Sequence, residues 1–232
     1  LFFMPAGVFV IATMVTFSMK EPPLHKHVLK ERYTEKLKGA VKFATTHQSV
    51  KALIIYYALF SSASHLTWFI LQPYYENSGL AEFFLGFAIS IYFIFAALGN
   101  LAAGKYSRRF DDRRLLLTIL LISAIAYTLV AMTDPLVAII FIAIFSIMSG
   151  VREVVVSREM NLHTESHHRA TVLSVQSMGK SIMWAILAPL IGILTDAFTP
   201  AASFLLVGAG LFLFWLVQLK MLRWSPKSSK DL

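Results

Sequence analysis

The sequence predicts an all-α membrane protein, a bundle of six transmembrane helices with part of another helix ahead of them. Three observations carry this. Six long apolar runs follow one another between short loops, and a further apolar run fills residues 1–19. Each run matches the ~20 residues that cross a ~30 Å hydrocarbon core at 1.5 Å per residue with every backbone hydrogen bond made internally. Hydrophobic residues make up 57% of the chain and charged residues 15%, against ~25% charged in soluble domains.

The first run, Leu1 to Met19, stops where Lys20-Glu21-Pro22-Pro23 brings charge and then two residues that cannot continue a helix. It opens apolar, with no initiator Met, charged leader or cleavage pattern, so the chain is expected to be a C-terminal piece of a longer protein. Residues 20–49 form a basic linker. Within it Tyr33, Leu37, Ala40, Val41 and Ala44 recur at helical spacing opposite Lys36, Lys38 and Lys42, as in an amphipathic helix on the membrane surface; a solvated linker is the alternative.

The spans follow at Val50 to Tyr75, Glu82 to Gly104, Leu115 to Thr133, Leu136 to Ser157, Ala170 to Asp196 and Ala201 to Leu222, so the bundle covers residues 50–222 and a tail covers 223–232. The linker, the loops Lys105 to Arg114 and Arg158 to Arg169, and the tail hold nearly all the Lys and Arg, which assigns them to the cytoplasm. The turns at Glu76 to Glu82, Thr133-Asp134-Pro135 and Asp196 to Pro200 are acidic or neutral and are assigned outside. A multi-pass protein of a cell membrane, with a cytoplasmic C-terminus and most simply in a bacterial cytoplasmic membrane, is the expected setting.

The net charge of +8 is explained by these loops, so a nucleic-acid partner is not expected. The chain has no Cys, no P-loop, no GxSxG and no HExxH, so neither an enzyme nor a bound cofactor is expected. His163, Glu165, His167 and His168 have spacing that can bind metal on a helix, but a His-rich basic loop is ordinarily solvated, and no metal is assigned.

Six spans after a long basic linker, preceded by the end of another span, resemble the C-terminal half of a Major Facilitator Superfamily transporter: the end of helix six, the central linker, and helices seven to twelve. The segment Gly99-Asn-Leu-Ala-Ala-Gly104-Lys-Tyr-Ser-Arg108-Arg109 is similar to the second copy of the family's loop motif. The run Arg169-Ala-Thr-Val-Leu-Ser174 through Pro189-Leu-Ile-Gly192-Ile-Leu-Thr-Asp196 is similar to the eleventh helix of many members. The resemblance implies two inverted three-helix repeats, with helices nine and twelve facing lipid and the other four lining a cavity shared with an N-terminal half. Leu115 to Thr133 and Ala201 to Leu222 fit the lipid-facing role, because the latter holds only Lys220 near its end and the former no charge.

Candidate site residues lie in the four remaining spans. Lys180 is 11 residues from Arg169, about 16 Å deep at 1.5 Å per residue. An ammonium there costs at least ~2.5 kcal/mol unless it meets a wet cavity or a partner. Gln176 and Trp184, at i−4 and i+4, share its face. Ser61, His65, Trp68 and Gln72 form a second polar and aromatic face, suited to an amphipathic solute or to a helix contact. Arg152 and Glu153 sit near the cytoplasmic end of their span, pointing about 100° apart, so that one face is not expected to use both equally. Glu153 shares a face with Ser146, Gly150 and Ser157; as the acidic residue set inside a span it is the candidate for proton coupling or a gate, with a surface ion pair as the alternative. Asn100, with Ala96, Gly99, Ala103 and Gly104, reads as close helix packing by small residues.

The function expected from the resemblance is secondary active transport by alternating access, as proton-coupled export (antiport) of an amphipathic or drug-like solute. Lys180 would bind an anionic group or assist coupling, and Trp68 and Trp184 would contact apolar parts. Uptake of a sugar or organic anion, and a nontransporting membrane sensor on the same fold, are the alternatives. The expected partners are the solute, the bilayer, the N-terminal half and protons.

Overall fold

The computed structural model describes residues 3–18, 33–79, 82–109, 111–164 and 169–221, and every regular element among them is an α-helix. They are α1 (Phe3–Ser18), α2 (Tyr33–Thr46), α3 (Gln48–Glu76), α4 (Glu82–Arg109), α5 (Asp112–Met132), α6 (Pro135–His163), α7 (Arg169–Ala197) and α8 (Pro200–Met221). The chain divides into residues 1–36 and 37–232. In the first unit, α1 is apolar, and the hydroxyls of Thr13 and Thr16 donate to the carbonyls one turn back, Phe9 and Ala12, at 2.8 Å, so they expose no unpaired donor.

The second unit holds six helices long and apolar enough to cross a membrane, α3 to α8. α3 is the axis of the bundle, buried along most of its length, and packs against α7, α8, α6 and α4. α4 lies against α6, and α5 lies against α8 and α6. Exchanging the triplet α3–α4–α5 for α6–α7–α8 carries the α4·α6 contact onto α7·α3, the α5·α6 contact onto α8·α3, and leaves α5·α8 in place. Because α3 and α6 run in opposite directions, that is the signature of two inverted three-helix repeats. At the start of the unit Ala44 of α2 is buried, and the Phe43 and His47 rings approach to 3.9 Å.

Three buried tyrosines pair across helices, which offsets the cost of placing a hydroxyl in an apolar medium. The Tyr56 hydroxyl donates to the Leu116 carbonyl at 2.9 Å, that of Tyr74 to Val130 at 3.0 Å, and that of Tyr127 to Ala63 at 2.8 Å. All three bonds fasten α3 to α5, whose own backbone hydrogen bonds remain intact. The turn into α6 is capped by Asp134, whose carboxylate accepts from the Leu136 N–H at 2.9 Å, with Pro135 at the first helical position. Asp134→Ala is expected to lower thermal stability by about 1 kcal/mol, and Asp134→Asn much less; equal losses in a melting assay would rule out the cap.

The helices overrun the apolar runs that predict them, chiefly at the end of the bundle where the basic loops lie, called here the basic end. α4 continues to Arg109 and α6 to His163. Basic and polar residues propagate a helix as well as apolar ones do, so a hydropathy boundary marks where lipid ends and not where the helix ends.

Candidate functional site

A cavity of about 400 Å³ opens between α3, α4, α6 and α7. From α3 it is lined by Tyr57, Ser61, Ser64, His65 and Trp68, which recur one turn apart on one face. α4 supplies Tyr92 and Phe93, α6 Ser149, Arg152 and Glu153, and α7 Lys180.

Arg152 organises the floor. Its guanidinium is buried, with 5% of the side chain exposed, between the Tyr57 ring at 5.1 Å and the Phe60 ring at 4.9 Å. One Nη donates to the Ser61 hydroxyl and the other pairs with Glu153 Oε2 at 2.9 Å. The Tyr57 hydroxyl donates to Glu153 Oε1 at 3.3 Å. The neighbours Arg152 and Glu153, expected to serve different faces, therefore meet: the long Arg side chain folds back across the 100° between them. Glu153 keeps 48% of its side chain exposed and is open to the cavity. Ser146, placed with it by helical spacing, is instead buried and bonded to the Ile142 carbonyl.

His65 Nδ1 lies 2.8 Å from the Ser61 carbonyl oxygen. A carbonyl only accepts, so Nδ1 is the donor of this bond. Trp68 packs at 4.9 Å from Tyr92 and 5.0 Å from Phe93, making an aromatic wall that joins α3 to α4. Lys180 has no ion-pair partner among the described residues. With Arg152 and Glu153 neutralising each other, the lining carries one uncompensated positive charge.

Six residues singled out by sequence thus converge: Ser61, His65, Trp68, Arg152, Glu153 and Lys180. Three stand elsewhere. Gln72 is a turn beyond the cavity, where its amide donates to Glu76 Oε1 at 2.8 Å. Gln176 is buried and absent from the lining, and Trp184 rests on Phe69 of α3 at 5.6 Å. Of the loop-motif residues, Gly99 is packed tightly against the Ile147 backbone of α6, whereas Gly104 faces open space. Arg108 and Arg109 fall in the last turn of α4, and their side chains lie outside the described residues. So do Glu165, His167 and His168.

Sequence reasoning missed a second charged cluster. Glu159 is buried near the basic end of α6, within 3.6 Å of Arg158 and 3.8 Å of His163 Nδ1, and Arg158 also pairs with Asp112 at the start of α5. Glu153 is therefore not the sole acidic residue set into this helix. The signal was Glu159's place two residues past the apolar run, legible only once α6 is known to continue.

The model of the Major Facilitator Superfamily matches residues 53–231, about three-quarters of the chain and the whole of the cavity. The chain belongs to the Major Facilitator Superfamily. Superfamily proteins are membrane transporters, which makes this a multi-pass membrane protein of transporter fold. A solved structure, that of the E. coli fucose:proton symporter FucP, is similar over 91% of this chain with a TM-score of 0.65 at 15% identity, which establishes the shared fold. The chain spans about half of that symporter, 53% of its length. Among curated protein sequences none matches the chain.

Proposed function

We propose that the chain forms one half of a secondary transporter that moves an amphipathic solute bearing a single anionic group by alternating access, coupled to protons. The observation that supports this is the uncompensated charge: Lys180 lines a cavity in which the Arg152–Glu153 pair is already neutral and which Trp68, Tyr92 and Phe93 also line. An anionic head would sit on Lys180 and an apolar body on the aromatic wall. The other half of the chain would close the cavity, and the two halves would rock about it.

Proton coupling is assigned to Glu153, which is both open to the cavity and bonded to Arg152 and Tyr57. A proton on its carboxylate removes the counter-charge of Arg152, so protonation and the positive potential of the site are tied together. Export by antiport is the direction we assign, because a weak amphipathic acid crosses a bilayer unaided in its neutral form, and its removal is the step that needs a machine.

The test is transport by the complete protein in proteoliposomes, with a panel of aromatic carboxylates, their neutral amides and hexoses, under imposed pH gradients. Lys180→Ala is expected to weaken the carboxylate about 10-fold to 100-fold, the value of a charge-assisted hydrogen bond, to leave the amide unchanged, and to be partly rescued by Lys180→Arg. Equal effects on acid and amide would sink the anion assignment. A hexose transported in place of either would establish the sugar reading, and no transport of any solute would favour the sensor.

A further inference from the structure

A second concavity, of about 310 Å³, lies in the seam between α5 and α6, away from the cavity described above. Its floor is buried and apolar, made by Leu115, Ile119 and Val151. Its rim is Thr118 and Ile122 of α5 with Met148 of α6. Arg114 closes the groove at the basic end. From Arg114 to Ile122 is eight residues, so at 1.5 Å per residue the groove runs about 12 Å from the basic-end surface toward the middle of the membrane.

The charge at its mouth is unspent. The Asp111 carboxylate accepts from the Arg114 backbone N–H at 3.3 Å, as a helix cap, and the Arg114 guanidinium has no ion-pair partner among the described residues. Asp112, the other nearby carboxylate, is taken by Arg158. An exposed cation at the interface level of an apolar slot that descends into the hydrocarbon is complementary to one kind of molecule: a lipid with an anionic head and a straight chain. The geometry points to a binding site for one anionic phospholipid, its phosphate on Arg114 and one acyl chain between α5 and α6. Orientation follows from the basic loops, which place this end toward the leaflet rich in anionic lipid.

The site is tested by native mass spectrometry of the complete protein with dioleoylphosphatidylglycerol and dioleoylphosphatidylcholine. Wild type is expected to prefer phosphatidylglycerol, Arg114→Gln to lose about fivefold in that preference, and Arg114→Lys to keep most of it. Thr118→Trp, which fills the groove and leaves the charge, is expected to weaken both lipids at least as much. Unchanged preference in Arg114→Gln, or unchanged binding in Thr118→Trp, overturns the proposal. Displacement of the lipid by glycerol 1-phosphate would make this an aqueous anion site and overturns it too. So would a Thr118→Trp protein that loses stability in phosphatidylcholine alone, since protein would then occupy the groove.

Discussion

Glu153→Gln is expected to destabilise the complete protein more than Arg152→Met, although Glu153 is by far the more exposed of the two. Exposure alone ranks them the other way. The argument rests on what each change leaves behind. Removing the Glu153 charge strands a guanidinium that is 5% exposed and still held between Tyr57 and Phe60. Breaking a fully buried pair in this manner costs ~3–5 kcal/mol. Gln can still accept one hydrogen bond, and the pair is wetted on one side, so about 2–3 kcal/mol is the expected loss. Removing Arg152 strands a carboxylate that is half exposed and can turn to water, while Met fills the space between the rings; about 1 kcal/mol is expected, from the lost cation–π contacts and the Ser61 bond. The double variant should then recover most of the Glu153→Gln loss. Melting curves for the four proteins decide it, and a double variant worse than Glu153→Gln would show that the pair does not act as a pair. The same asymmetry gives a proton on Glu153 its leverage in the proposed cycle, since protonation has the electrostatic effect of the Gln substitution and is reversible.

How much of this was legible in the sequence depended on how rare the signal is in a membrane. Charges inside apolar runs are rare, and Arg152, Glu153 and Lys180 all reach the cavity. His65 and Trp68 were found by extending a polar stripe along α3. The same stripe extended one turn back includes Tyr57, which holds both Glu153 and Arg152. Ser64, one turn before Trp68, lies on that stripe too; Tyr92, Phe93 and Ser149 were not legible, because aromatic and small residues occur on every face of membrane helices and only the rotation of α4 and α6 decides which of them meet. Gln176 and Trp184 illustrate the converse: they share a helix face with Lys180, yet one is buried and the other is packed on Phe69. The six helices themselves were fully announced, since a bilayer leaves an apolar run of this length one stable conformation.

Gly150 is expected to be the least substitutable residue of the bundle. A Cβ there would collide with the carbonyl oxygen of Ala96, and it would also stand 2.9 Å from the Asn100 nitrogen, so the obstacle is the backbone of α4 and cannot rotate away. Gly99 meets the Ile147 carbonyl of α6 in the same way, and the two glycines interlock the pair of helices from opposite sides. Gly150→Ala should cost about 1–3 kcal/mol and Gly150→Val more, since α4 and α6 must separate to admit the methyls. Gly104→Ala and Gly192→Ala, where nothing lies within 4 Å, supply the control; both should be neutral or stabilising, by up to about 1 kcal/mol of helix propensity. Thermal unfolding followed by size-exclusion fluorescence measures all four, and a Gly150→Ala protein as stable as Gly104→Ala would disprove the close approach. The consequence extends to function, because the helices that these glycines hold together carry Tyr92 and Phe93 on one side of the cavity and Ser149, Arg152 and Glu153 on the other. A shift of a fraction of an ångström at Gly150 moves the aromatic wall relative to the ion pair. Gly150→Ala should therefore impair solute binding even at temperatures where the protein remains folded, whereas the control substitutions should not.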